Sequence, residues 1–230
     1  MKKSWTKSSH QILKQATGLN RYNLWIFSLF KQYLGNNILE LGSGLGGLSQ
    51  YLPKKNTTLS DIQPEYLKQL ESQFGFKTKK LNIEKDSINN IKSQFDTILS
   101  TNVFEHLQDD QKALDNCFKI LSNNGKLLLF VPARPEIYGS LDEAMGHHRR
   151  YTKKELMAKT KKAGFQVLKT KYVNFPGYFT WWFRGRFPSK SNSDNLLAEI
   201  FESIIVPLLH LEKYLPTPLG QSLMLIAQKP

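Results

Sequence analysis

Short apolar runs alternate with amphipathic stretches along most of the chain, the pattern of a parallel sheet covered by helices. The first run, Asn37–Leu41, leads straight into the glycine-rich GSGLGG, after which Leu48–Leu52 predicts a helix closed by Pro53. Thr57–Ser60 reads as a second strand ending at Asp61. Leu67, Leu70 and Phe74 then share one face of a helix that Gly75 stops. Lys77–Asn82 is a weaker third strand. Phe95–Ser100 and Lys126–Val131 predict the fourth and fifth, joined by a helix with Leu114, Cys117, Phe118 and Leu121 in one stripe. The fifth, KLLLFV, is the most apolar and belongs near the sheet centre.

Pro132–Tyr151 is too long and too polar for a simple turn. Thr152 and Glu155 form a capping box that opens another helix, and Phe165–Tyr172 and Ser222–Gln228 complete seven strands. Between the last two lies an insertion, placed at residues 174–216, longer than a compact domain needs for a connection. It begins aromatic and basic (NFPGYFTWWFRGRFPSKS). From Asn195 it continues as an amphipathic helix with Leu197, Ile200, Phe201, Ile204, Leu208 and Leu211 on one side, and Pro207 predicts a kink. Residues 1–36 read as an N-terminal helical cap, and residues 1–230 as a single domain.

Composition adds a sign. Lysine and arginine number 32 against 19 acidic residues, and the surplus of +13 attracts phosphorylated metabolites, nucleic acid or an acidic membrane face. Cys117 is the only cysteine, which excludes an internal disulfide and fits a reducing compartment. The N-terminus lacks the apolar run of a signal peptide, and no stretch is apolar enough to span a bilayer, so a cytoplasmic location is expected. For Phe179, Trp181, Trp182, Phe183, Arg184 and Arg186 three roles stay open: a lid over an acceptor, a peripheral contact at the inner membrane face, or an extension of the core.

The loop Gly42-Ser43-Gly44-Leu45-Gly46-Gly47 lets a ligand approach bare backbone. Gly42, Gly44 and Gly47 also satisfy the dinucleotide fingerprint G-x-G-x-x-G. Glu40 separates the two readings, because a carboxylate there repels a pyrophosphate and suits an ammonium group. Asp61 follows the loop at the spacing of a residue that accepts ribose hydroxyls, a role common to both nucleosides. An NAD(P)-dependent oxidoreductase therefore stays as one alternative. A non-catalytic protein binding polyanions or membranes is another.

ILELGSGLG with Asp61, then FDTILSTNVFEHLQDD and ILSNNGKLLLFVP, resemble in order a class I S-adenosylmethionine-dependent methyltransferase, from Tyr22 to Gly164. The resemblance implies a Rossmann-like α/β fold with a seven-stranded, mostly parallel sheet of order 3-2-1-4-5-7-6 and helices on both faces. It also implies S-adenosylmethionine as cofactor. Glu40, Gly42 and Gly44 would then line its methionine end, with Ser43 and Gly46 in the same loop. Asp61 and Ile62 would take the ribose and adenine, Asn82 and Ile83 the adenine edge, and Thr101 and Asn102 the floor. Tyr22, in RYNLW, would close over the methionine or serve as a packing aromatic. Asn82 departs from the acidic residue often found there, and its amide oxygen is expected to reach the adenine amino group.

Methyl transfer from a sulfonium is an in-line displacement, so the protein mainly positions the acceptor and excludes water. STNVFEH lacks the N/D-P-P-Y/F/W string of base-amine methylation, and no Pro-Cys nucleophile is present, which disfavours nucleic acid as substrate. The pair Glu105-His106 reads as the start of a helix; it is usual in similar methyltransferases whatever the substrate, implying a structural or cofactor-side role. In Gly146-His147-His148-Arg149-Arg150-Tyr151, Arg149, Arg150 and Tyr151 are expected to bind an anionic acceptor at the helix that Thr152 caps. His147 or His148 would act as base. A solvated basic loop paired with Asp142 and Glu143 is the plainer alternative. No metal and no obligate protein partner are expected. The pattern P-x-x-P-x-x-Y-G…D…GHxRRY resembles bacterial methyltransferases associated with surface-glycan synthesis, implying O-methylation of a small or a glycan- or lipid-linked acceptor.

Overall fold

A computed structural model describes residues 7–88, 95–186, 199–215 and 217–230. Seven strands form one sheet: β1 (Ile38–Leu41), β2 (Thr57–Asp61), β3 (Lys77–Lys80), β4 (Phe95–Thr101), β5 (Leu121–Pro132), β6 (Gln166–Val173) and β7 (Ser222–Gln228). Their spatial order is 3-2-1-4-5-7-6. β1 to β5 run parallel, and β7 lies antiparallel between β5 and β6. The expected order of a mostly parallel sheet is present. β1, at the sheet centre, buries all four of its side chains, because helices cover both faces.

The described helices are α1 (Lys7–Thr17), α2 (Asn20–Phe30), α3 (Pro64–Phe74), α4 (Asp110–Ile120), α5 (Ser140–Met145), α6 (Lys153–Lys162) and α7 (Phe175–Arg186), with a short helix at Val206–Leu209. Two cores result. One packs Ile98, Leu114, Cys117 and Leu127 beneath α4 and α6, and the other packs Trp25, Phe30, Leu59, Leu128 and Val206 beneath α2 and the insertion. Gly75 ends α3 with φ 68, as its place in the sequence predicts.

Three expectations are corrected. Leu48–Leu52 does not start a helix; only a single 3₁₀ turn forms at Ser49–Tyr51, because Pro53 leaves no length for propagation. Glu105 and His106 likewise lie in a 3₁₀ turn, Phe104–His106, rather than at the start of a helix. In the insertion, residues 187–198, including Leu197, lie outside the described residues. Just before Pro207 the chain widens into a π-helical turn at Phe201–Ile205, since a proline supplies no N–H to the turn behind it. This last segment also caps two helices. Glu202 accepts hydrogen bonds from the Arg21 and Tyr22 amides at the start of α2, and Glu212 from those of Asn174 and Phe175 at the start of α7.

Thr152 caps α6 as predicted, its hydroxyl accepting from the Glu155 amide at 3.1 Å. Thr152→Ala is expected to cost about 1 kcal/mol in urea denaturation. An unchanged midpoint would show that this cap does not stabilise the fold.

Candidate active site

The C-terminal ends of β1, β2 and β4 open into a cavity of about 530 Å³. This is where an open parallel sheet places ligands. Glu40, Gly42, Ser43, Gly44, Asp61, Ile62, Asn82, Ile83, Thr101 and Asn102 all line it, together with His106, Met145 and His148. α1 forms part of the wall through Leu13, Ala16 and Thr17, a contribution the sequence did not announce.

Glu40 is the most deeply buried carboxylate lining this cavity. It is 2% exposed and receives the Ser49 hydroxyl at 2.5 Å. Burial pushes its carboxyl up to about 7, against the pull of Ser49 and Ser43, and the neighbouring Asp61 adds to the rise. A carboxylate held this way favours a cationic ligand group. At the end of β2, Asp61 accepts the Gly44 amide on Oδ2 and the Gln63 amide on Oδ1, both at 2.9 Å. Each carboxylate oxygen keeps a further lone pair for a diol. Gly42 has φ 69, and a Cβ there would stand 2.4 Å from Val103 Cγ2, so only glycine fits the turn. Ile62 offers an apolar surface, being 53% exposed on the cavity rim.

Several expected contacts are not made. Gly46 does not line the cavity; its φ of 84 serves packing, since a Cβ would meet Leu70 Cδ2 at 2.6 Å. Tyr22 lies outside it as well, stacked on Trp25 and edge-on to Phe201. Asn82 lines the wall, but its side-chain oxygen already accepts the amides of Glu84 and Lys85, both at 3.1 Å. That oxygen holds a turn instead of reaching for an adenine amino group.

The expected acceptor site is corrected more deeply. Ala133 forms a parallel backbone bridge with Tyr151, so the loop after β5 returns to the end of that strand, and its basic residues find partners within the fold. Arg150 Nε donates to Asp142 Oδ1 at 2.8 Å and Nη1 to the Ala133 carbonyl at 2.8 Å, with the guanidinium over the Trp181 ring. Tyr151 is fully buried and donates to Asp110 Oδ2 at 2.8 Å. Arg149 pairs with Asp110 at 3.0 Å and donates to the Leu107 and Gln108 carbonyls. None of the three lines the cavity. His147 is also withdrawn, 3% exposed, with Nδ1 2.8 Å from Asp142 Oδ1. Burial tends to raise the Asp142 carboxyl, but His147, Arg150 and Trp181 together hold it below the usual carboxylate range.

Two histidines do face the cavity. His148 is exposed on its wall, its amide bonded to the Glu105 carbonyl at 2.8 Å. His106 stands beside it, with Nδ1 3.4 Å from the Gly146 carbonyl. Burial and the nearby His147 lower its pKa to about 4, so it is neutral at physiological pH. Glu105, whose side chain is completely buried, is pushed up to about 7 by that burial despite His147.

Residues 39–127 match the sequence profile of a methyltransferase domain. The chain is 28% identical over 127 residues to a juvenile hormone acid O-methyltransferase of Bombyx mori, covering 50% of this chain and 46% of that protein. It spans less than half the length of the curated relatives it matches. Among solved structures, an S-adenosylmethionine-dependent methyltransferase of Thermotoga maritima aligns with TM-score 0.64 at 18% identity, covering 92% of this chain and 91% of that one. A phosphoethanolamine N-methyltransferase of Haemonchus contortus, in complex with S-adenosylmethionine, aligns with TM-score 0.60 at 15% identity over 93% and 57%. A carboxylate for an ammonium, a second for a ribose diol and an apolar rim for a base form a donor set that fits S-adenosylmethionine.

Glu40 must be ionised to hold a cation, so affinity for S-adenosylhomocysteine is expected to rise as pH climbs through about 7, where its carboxyl titrates. Glu40→Gln is expected to weaken binding roughly 10- to 100-fold and to flatten that pH dependence in calorimetry. Equal affinity in both proteins would remove Glu40 from the site. For the second buried charge, Arg150→Ala is expected to cost about 3 kcal/mol of unfolding free energy by stripping Asp142 of its guanidinium. Unchanged stability with lost turnover would instead make Arg150 an acceptor ligand.

Proposed function

We propose that the chain transfers a methyl group from S-adenosylmethionine to an acceptor oxygen, on a small molecule or a glycan- or lipid-linked one. The observation that carries this reading is that His106 and His148 line the same cavity as Glu40, Gly44 and Asp61. S-adenosylmethionine supplies an electrophilic methyl on a sulfonium; the acceptor must supply a lone pair, and a hydroxyl must also lose a proton. His148, exposed on the cavity wall, is the group placed to take it. His106, held neutral, helps to orient the acceptor oxygen. Met145 and Leu13 provide apolar wall on this cavity, which favours an acceptor with an apolar portion.

The burial of Arg150 and Tyr151 removes the built anion receptor that the basic loop suggested, so an anionic acceptor is no longer part of the proposal. Support for a glycan rests on the resemblance of the PARPEIYG and GHHRRY segments alone. Glu40 argues against a dinucleotide, whose pyrophosphate would meet a carboxylate at the loop. For membrane contact, Phe179, Trp182 and Phe183 are exposed on α7, while no helix among the described residues is long and apolar enough to cross a bilayer.

The test begins with isotope-labelled S-adenosylmethionine and small-molecule extracts, reading labelled products by mass spectrometry. With the acceptor in hand, His148→Gln is expected to lower kcat ~100-fold at neutral pH while leaving S-adenosylhomocysteine affinity unchanged. An unaltered kcat would exclude His148 as base. Label on nitrogen or carbon would overturn the O-methyl assignment.

A further inference from the structure

The sequence gives no reason to expect a metal, yet three potential ligands converge where the cavity meets the buried loop. Glu105 and His106 belong to the 3₁₀ turn after β4, and His147 arrives from the loop that follows α5. One ligand atom from each lies within 4.8 Å of the others. His147 Nε2 is 3.8 Å from Glu105 Oε1, and the two imidazole rings meet edge-on with centroids 4.9 Å apart.

The Glu105 carboxylate is 0% exposed, and among the described residues neither of its oxygens has a hydrogen-bond partner. A buried carboxylate in that state needs a proton or a cation beside it. His147 is also oriented for coordination. Its Nδ1 is hydrogen-bonded to Asp142 at 2.8 Å, so donation from that N–H leaves Nε2, 3.8 Å from Glu105 Oε1, as the basic atom, while His106 Nδ1 lies 3.4 Å from the Gly146 carbonyl. A carboxylate bonded to the far nitrogen of a ligating histidine is the usual outer shell of a metal centre. Asp142 is itself fixed by Arg150, by the Trp181 indole at 2.9 Å and by the Gly139 amide at 3.1 Å.

We propose that Glu105, His106 and His147 form a divalent-cation site of two imidazoles and one carboxylate, opening to the cavity beside His106. Mixed nitrogen and oxygen donors suit Mn²⁺, Fe²⁺ or Zn²⁺ over Mg²⁺. Opposite ligands in an octahedron with bonds of about 2.1 Å stand about 4.2 Å apart, so loading draws the three side chains slightly together. Resting on the O-methyl reading, the ion would bind the acceptor oxygen and lower its pKa, leaving His148 to collect the proton. Asp142 and Arg150 are then positioning residues for the metal.

The experiment measures metal binding and cofactor binding separately. Full-length protein, stripped with chelator, is dialysed against Mn²⁺, Zn²⁺ or Co²⁺ and assayed by elemental analysis, thermal shift and visible absorption of the cobalt form. Expected are about one ion per chain, a raised Tm, and binding weakened at least tenfold in Glu105→Gln and His106→Ala. Because Glu105→Gln perturbs the interior, His106→Ala on the cavity wall is the variant that separates lost coordination from lost folding, and the cobalt spectrum of unaltered protein reports imidazole ligation directly. Absence of stoichiometric ion and of any shift in unaltered protein would overturn the site and leave a proton shared between Glu105 and His147. Identical loading in both variants would overturn it too. S-adenosylhomocysteine titrated into the stripped protein keeps the two questions apart, since the metal site can fail while the cofactor still binds.

Discussion

A carboxylate buried at the end of the first strand is the constraint around which the cavity is built. Glu40 sits between Leu59 and Leu99 in the sheet register, with a short hydrogen bond from Ser49. An isolated charge in such a place is costly, and the fold tolerates it only because the glycine turn leaves one direction open, toward the cavity. The turn is itself tied to β2, with the Gly42 and Ser43 amides on the Ser60 carbonyl and the Gly44 amide on Asp61. Both acidic groups are thereby aimed at the same space. Stability given up at Glu40 is recovered when a cationic ligand arrives.

A second buried polar centre organises the other wall. Asp142 gathers His147, Arg150, Trp181 and the Gly139 amide, while Asp110 gathers Arg149, Tyr151 and Lys159. These two nodes fix the loop after β5 against α4, α6 and α7, and they leave His148 as the loop's histidine on the cavity wall. The basic run GHHRRY is thus mostly scaffold. Its contribution to chemistry is to hold one imidazole outward and another, His147, inward against Glu105.

Much of this was legible in the chain itself. Glycines after an apolar run, an acidic residue at the end of the next strand, and a seventh strand after the insertion placed the strands and the cavity floor, while the sheet order came from the resemblance to class I methyltransferases. Local signals with local partners also held, as at Gly75 and Thr152, whose partners lie within a few residues. What escaped depends on partners distant in sequence. Arg150 read as an anion receptor because nothing in GHHRRY reveals that Gln221 and Ala133 carbonyls would surround it. The Asn82 oxygen was claimed by amides two and three residues on, a turn that its strand-like neighbours concealed. Glycine at 46 looked like ligand-binding backbone, whereas the side chain of Leu70, brought over by α3, is what requires it. The wall supplied by α1 could not be read from an amphipathic segment with no stated destination.

The most direct measurement sets S-adenosylhomocysteine against NADH in parallel calorimetric titrations of the same protein at neutral pH. Saturable one-to-one binding of the thioether nucleoside, with no heat from the dinucleotide, is what a buried carboxylate at the glycine turn demands. Tight binding of NADH with indifference to S-adenosylhomocysteine would contradict the account at its root.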